Sequence, residues 1–197
     1  MEDKINYTRL FVIEKTISIE EHISETIGHL LNIDWRKSKS LGFSSSSLDF
    51  SRKVQIIQDI LDISGKEDSI KKLTRLMEIR NKFAHVSEII SFEKLFSSTK
   101  VGKKIKEDLK NWYLDVEEDN EEKKYKKCFL NLTNDITRIL KDIEIKYLLD
   151  KLKEDIENNF NKSYSELLVQ EILKLEGGKE INNRIIDEVM QKTKNKK

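Results

Sequence analysis

The chain has 197 residues, enough for one domain or for one domain with a helical appendage. Apolar and charged residues each make up 37%, proline is absent, and glycine occurs only six times. So few turn residues exclude an all-β sandwich or barrel, and apolar residues recurring at regular spacing exclude disorder over most of the length. A net charge of +1 provides no global attraction to nucleic acid or membrane, so any such contact needs a local patch. The expected class is all-α: an antiparallel helical bundle with additional C-terminal helices.

Residues from about Tyr7 to Ile33 read as a first helix, with Leu10, Ile13, Ile17, Ile23, Ile27, Leu30 and Leu31 along one face. The polar stretch from Arg36 to Asp49, rich in serine, reads as a flexible loop. Asp49 or Ser51 can then cap a second helix carrying Val54, Ile57, Ile60 and Leu61, which Gly65 ends. A third helix runs from about Glu67 to Val86, with acidic residues in its first turn as the helix dipole favours. Ser91 caps a brief helix through Phe92, Leu95 and Phe96, and Lys103 to Val116 forms another amphipathic segment. A long helix follows. In it Tyr125, Phe129, Leu132, Ile136, Ile139 and Ile143 alternate spacings of four and three, a seam suited to bundle packing or to a helix–helix dimer. The pattern loosens after Leu152, where Asn158, Asn159, Asn161 and Ser163 weaken the helix. Gly177-Gly178 separates a last short helix with Ile181, Ile185 and Val189, and a basic tail ends the chain.

No stretch approaches the roughly 20 apolar residues needed to cross a bilayer, so no membrane partner is expected. Met1-Glu2-Asp3-Lys4 opens without an apolar leader, and the single cysteine, Cys128, has no partner for an internal disulfide. Both point to the cytoplasm. No Gly-rich phosphate loop and no paired-cysteine zinc signature occurs, so neither cofactor nor metal is expected. His22, Glu25 and His29 share one face of the first helix. The two histidines, however, lie about 10 Å apart along the axis, too far to bind one ion. Glu25 with His29 makes half a site at most, and polar groups at a helix border are the simpler account.

The third helix stands apart. Projected at about 100° per residue, Ile70, Leu73, Leu76, Met77, Phe83 and Ala84 form an apolar stripe with Arg80 near its middle. Asn81 and His85, four apart, stack on the adjoining border. An arginine on the core side is costly unless paired, because its charge cannot be lost by deprotonation. With seven arginines against 30 lysines, and Ala84 the only alanine, a guanidinium beside a small residue looks chosen for geometry. The structural account is an Arg80 paired with a buried carboxylate and a His85 favoured by the helix C-terminus.

The string Arg80-Asn81-Lys82-Phe83-Ala84-His85 resembles the R-x4-6-H motif of the HEPN superfamily, in the variant with a polar residue after the arginine. Leu48-Asp49-Phe50, Lys53 and Ile79 look like the branch that includes mannitol operon repressor-like proteins. The resemblance covers about Leu48 to Val86. It implies residues 1–160 as a HEPN-like helical bundle, with 161–197 as a helical extension and basic tail. It further implies a metal-independent endoribonuclease, usually dimeric, whose motif helices line a shared cleft. Carried over are Arg80, Asn81 and His85 only. Histidine suits a general base or acid near neutral pH, and arginine suits bidentate phosphate binding. Asn81 can hold the imidazole or a phosphate oxygen in place. Lys82 and the run Lys123, Lys124, Lys126 and Lys127 can guide an RNA backbone, or simply balance the acidic residues before them.

Five residues on a helix correspond to about 140° of rotation, so Arg80 and His85 of one chain are not expected to project together. Two motif helices facing each other would supply the pair in trans, which predicts a homodimer; RNA as its substrate is what the resemblance implies. The implied activity is that of a toxin or defence effector, held by an antitoxin or another regulatory protein. The alternative is a non-catalytic HEPN-fold regulator working through protein–protein contacts. A third reading is a helical scaffold in which Arg80 is purely structural.

Overall fold

Apolar residues three and four apart, capped by short polar side chains, set the helices of this chain. The structure, a computed structural model, describes residues 7–62, 65–174 and 183. Six α-helices and no strand occur among the described residues: α1 (Tyr7–Leu31), α2 (Phe50–Asp62), α3 (Glu67–His85), α4 (Phe92–Ser98), α5 (Lys100–Trp112) and α6 (Glu121–Lys174). The chain is all-α. It divides into two compact units, Met1–Ile145 and Lys146–Lys197. None of the described helices is long and apolar enough to cross a membrane. The short helix expected around Ile181 to Val189 lies outside the described residues, apart from Asn183.

Helix ends follow local chemistry. Asp49 accepts from the Arg52 N–H at the start of α2, Ser91 from the Lys94 N–H at α4, and Thr99 from the Gly102 N–H at α5. α1 stops at Leu31 rather than Ile33 because Asn32 takes a left-handed conformation (φ 54°) and the Ile33 N–H turns back to the Gly28 carbonyl at 2.9 Å. Gly65, at φ 65°, likewise follows the end of α2. The asparagines at 158, 159 and 161 do not interrupt α6, which runs on to Lys174.

In the first unit, α1 packs on α2 and α3, α2 packs on α3, and α5 packs on α3 and α4. The core is built around aromatic rings: Phe92 meets Phe83, Phe96 and Phe129 at centroid distances of 5.4, 5.9 and 5.9 Å. Phe96 adds an edge contact to Tyr125 at 4.6 Å. The α6 seam points inward, with Tyr125, Phe129, Leu132, Ile136 and Ile143 buried. Bundle packing therefore uses it, and α1 meets it through Phe11 on Phe129. Glu122 fastens three helices, accepting from Thr8 Oγ1 and from the backbone N–H groups of Phe92 and Glu93 at the start of α4.

One expectation needs correction in part. On α1, Ile23 and Ile27 of the expected face are buried, but Leu10, Ile17 and Leu31 are exposed, and Thr8, Val12, Thr16, Ile19 and Thr26 complete the buried face. Threonine substitutes for larger residues here because its hydroxyl finds a partner: Thr16 donates back to the Val12 and Ile13 carbonyls, and Thr26 donates to Glu144. The segment from Arg36 to Asp49 is a loop that closes on its own hydrogen bonds. The Leu48 N–H reaches the Ser40 carbonyl, Ser44 donates to the Lys39 carbonyl, and Trp35 and Leu41 are buried against the core.

α3 is tied to α5 by charge. Asp108 accepts from Lys71 Nζ and Arg75 Nε, both at 2.6 Å. Burial would raise the Asp108 carboxyl, but the Lys71 and Arg75 hydrogen bonds outweigh it and hold the pKa below the ordinary 3.8. The native state then binds fewer protons than the unfolded chain in the acid range. This contribution is complete above the unfolded value and is lost as pH falls through the lower native one. Calorimetry on Asp108→Asn is expected to show a loss of about 2 kcal/mol at pH 7 and a melting temperature that falls less steeply below pH 4 than the wild type's. An equal acid dependence in both proteins would contradict this.

Candidate active site at the end of α3

The buried face of α3 is Leu73, Leu76, Ile79 and Phe83, a stripe that needs no polar partner. Arg80, Asn81 and Ala84 flank it and are half-buried, while His85, the last helical residue, is exposed. Arg80 is thus at the border of the apolar stripe and not in its middle. Leu76 and Phe83 hold the middle of the buried face.

Arg80 and Arg75 lie on the same helix in opposite circumstances. Arg75 is engaged by two carboxylates, Asp108 at 2.6 Å and Glu78 at 2.6 Å. Burial works against that charge, yet the two carboxylates more than offset it and raise the guanidinium's pKa. Arg80 has no ion pair among the described residues. Its guanidinium lies over the Phe50 ring with its carbon 5.6 Å from the centroid, and Nη1 donates to Asn81 Oδ1 at 3.2 Å. The same nitrogen stands 3.4 Å from His85 Nε2. A guanidinium has donors only, so a hydrogen bond between the two requires Nε2 as the acceptor. A side chain held by an aromatic face, an amide and an imidazole rather than by a carboxylate keeps its charge available to an incoming anion.

The 140° separation of Arg80 and His85 therefore does not keep them apart. It describes the directions in which the side chains leave the helix. The arginine side chain is long enough to fold across the last turn to the histidine, and no second chain is needed to bring the two together.

Neighbouring helices complete the setting. Phe50 opens α2 at the Asp49 cap and supplies the ring beneath Arg80. Arg9, from α1, donates through Nη2 to the Ala84 carbonyl at 3.0 Å, one of the terminal carbonyls of α3. The small Ala84 side chain leaves that carbonyl open to approach. This brings a second guanidinium to the motif. Nothing local to Arg9 marks it out, since the contact joins residues 75 positions apart. Lys53 is buried and paired with Glu20 at 3.0 Å, so it braces α2 on α1 rather than joining the site.

The histidines of α1 do not form a metal centre with Glu25. His29 Nδ1 instead lies 3.4 Å from Glu144 of α6, whose carboxylate also accepts from Thr26. No group of three or more His, Cys, Asp or Glu side chains among the described residues is arranged to hold a metal ion. Of the lysine run at the start of α6, Lys127 pairs with Glu118 at 3.4 Å.

No family model matches the chain, and no curated protein or solved structure matches it either.

Proposed function

We propose that the chain is a metal-independent endoribonuclease of HEPN type, acting as a toxin or defence effector, with Arg80, Asn81 and His85 as its working residues. The observation that carries this reading is an arginine with no carboxylate partner among the described residues, 3.4 Å from a histidine nitrogen, at the exposed end of a helix. A purely structural arginine would resemble Arg75 instead.

Cleavage of RNA without a metal needs a base for the 2′-hydroxyl and a cation for the charge that develops on the phosphorane. The phosphate binds at Arg80 and draws the guanidinium away from His85, freeing the Nε2 lone pair. The 2′-hydroxyl then gives its proton to Nε2, the 2′-oxygen bonds to phosphorus, and the bond to the 5′-oxygen breaks. The proton held on the imidazolium passes to the departing oxygen. The products are a 2′,3′-cyclic phosphate and a 5′-hydroxyl. Asn81, whose Oδ1 already receives Arg80, keeps its amide N–H groups for a phosphate oxygen.

The test is incubation of the purified chain with single-stranded RNA in EDTA, followed by analysis of the 3′ ends. Cleavage leaving cyclic phosphate is the expected result. Cleavage that appears only with added divalent metal contradicts the mechanism, and no cleavage of any RNA favours the regulator.

A further inference from the structure

A cavity of about 230 Å³ opens between α1, α2 and the segment that joins them, and none of Arg80, Asn81 and His85 lines it. Its walls include Glu20 and Glu21 of α1, Lys53 of α2, and Trp35 and Phe43 of the joining segment. Pockets for drug-sized ligands run to roughly 300–1,000 Å³, so this one suits a single small ring system.

The polar groups in these walls are only partly matched. Lys53 is buried, and Glu20 Oε1, at 3.0 Å, is the one acceptor its ammonium has among the described residues. An ammonium carries three N–H groups, so two stay unanswered. Glu20 Oε2 accepts no hydrogen bond among the described residues. Trp35 Nε1 is the only buried side-chain nitrogen or oxygen among them with no hydrogen-bond partner. Native proteins satisfy nearly all such groups, so a wall short of an acceptor points to an occupant. Phe43 is the opposite case. Its ring lines the same cavity yet is 76% exposed, with its centroid 5.5 Å from that of Trp35, so it stands at the mouth as an apolar platform with one open side.

These groups select a flat ring whose edge carries an acceptor beside donors. The guanine edge fits: O6 accepts from Lys53, while N1–H and the N2 amine donate to the two oxygens of Glu20. Oε1 can take Lys53 and the base together, because a carboxylate oxygen has two lone pairs. Adenine sets a ring lone pair against the carboxylate, and each pyrimidine has a donor at one position of that edge only. An aromatic platform combined with hydrogen bonds to a base edge is how proteins read unpaired bases, and Phe43 supplies the platform. Glu21, at the exposed rim, repels a phosphate held close, so the base enters and its phosphates stay in solvent. We propose that this cavity is a binding site for a guanine base, free or within single-stranded RNA. It does not depend on the reading of Arg80 and His85.

Binding is read without cleavage. The full chain has two tryptophans, so Trp112→Phe leaves the fluorescence of Trp35 to report on the cavity. Guanosine is expected to change that emission saturably, and adenosine to bind about tenfold more weakly or worse. Glu20→Gln replaces one acceptor by a donor and should remove the preference for guanosine. Because that change also leaves Lys53 without its carboxylate, Phe43→Ala provides a second variant at an exposed position. It should keep the helical circular dichroism and weaken guanosine about tenfold through lost stacking. A 2′-O-methyl oligonucleotide with one guanine among four uracils cannot be cut through its 2′-oxygen and separates the two sources. Tighter binding than guanosine assigns the site to RNA, weaker binding assigns it to the free base or nucleoside, and both uphold it. No response to guanosine or the oligonucleotide at millimolar concentration means that the cavity holds water only and overturns the proposal. Equal responses to guanosine and adenosine overturn it, as does guanosine binding that Phe43→Ala leaves unchanged.

Discussion

Arg80→Ala is expected to reduce metal-independent RNA cleavage by about a thousandfold and to change folding stability by less than about 1 kcal/mol. Arg75→Ala, one and a half turns earlier on the same helix, should do the reverse. Removing Arg75 strips Asp108 of one of its two cations and Glu78 of its partner, both in partly desolvated surroundings. Breaking such a pair costs about 3 kcal/mol, because the carboxylates left behind remain partly desolvated and undercompensated. Among the described residues, removing Arg80 abandons no carboxylate, only the Phe50 ring, Asn81 and His85. Denaturant titration and RNA cleavage on both variants give the comparison. Arg80→Lys should also lose most activity, since an ammonium cannot reproduce bidentate contact with a phosphate. His85→Ala should match Arg80→Ala in activity and leave the fold unchanged, because the imidazole is exposed. If Arg80→Ala unfolds the chain, the arginine is structural and the proposed chemistry fails.

The contrast between these two arginines also marks what sequence could and could not disclose. Helix positions and caps were legible because they depend on near neighbours: Asp49, Ser91 and the acidic start of α3 each act within one turn. The α6 seam was legible because its period repeats. The buried face of α1 was legible only at Ile23 and Ile27, since threonines share it and their burial rests on hydroxyl partners, one of them Glu144 on another helix. At the site, residue types pointed to Arg80, Asn81 and His85, but their arrangement did not follow from them. Which arginine is neutralised depends on Asp108, 33 positions beyond Arg75, and the ring beneath Arg80 comes from α2. Arg9 reaches the motif only through the packing of α1 on α3. Helical projection misjudged the Arg80–His85 pair for a different reason. It treats side chains as short spokes, and an arginine is longer than the spoke assumed.

That geometry changes what a mixing experiment should give. When an Arg80→Ala chain is refolded with a His85→Ala chain, the mixed species contains one arginine and one histidine, each in a different subunit. A site shared across a dimer would be whole once per mixed dimer, so up to about half its sites would work by two-fold symmetry. A site within one chain would be whole nowhere. Since Arg80 Nη1 lies 3.4 Å from His85 Nε2 of its own chain, cleavage by the mixture is expected to stay at the background of the separate variants. The companion mixture decides what silence means. Wild type refolded with a double Arg80→Ala, His85→Ala chain should lose activity only in proportion to the wild-type sites diluted. A steeper, quadratic loss would show that both subunits must be intact, and the within-chain site would then be wrong despite the silent first mixture. Restored cleavage in the first mixture would refute it directly. Linear dilution together with no restoration is the one combination that a pair closed within each chain produces.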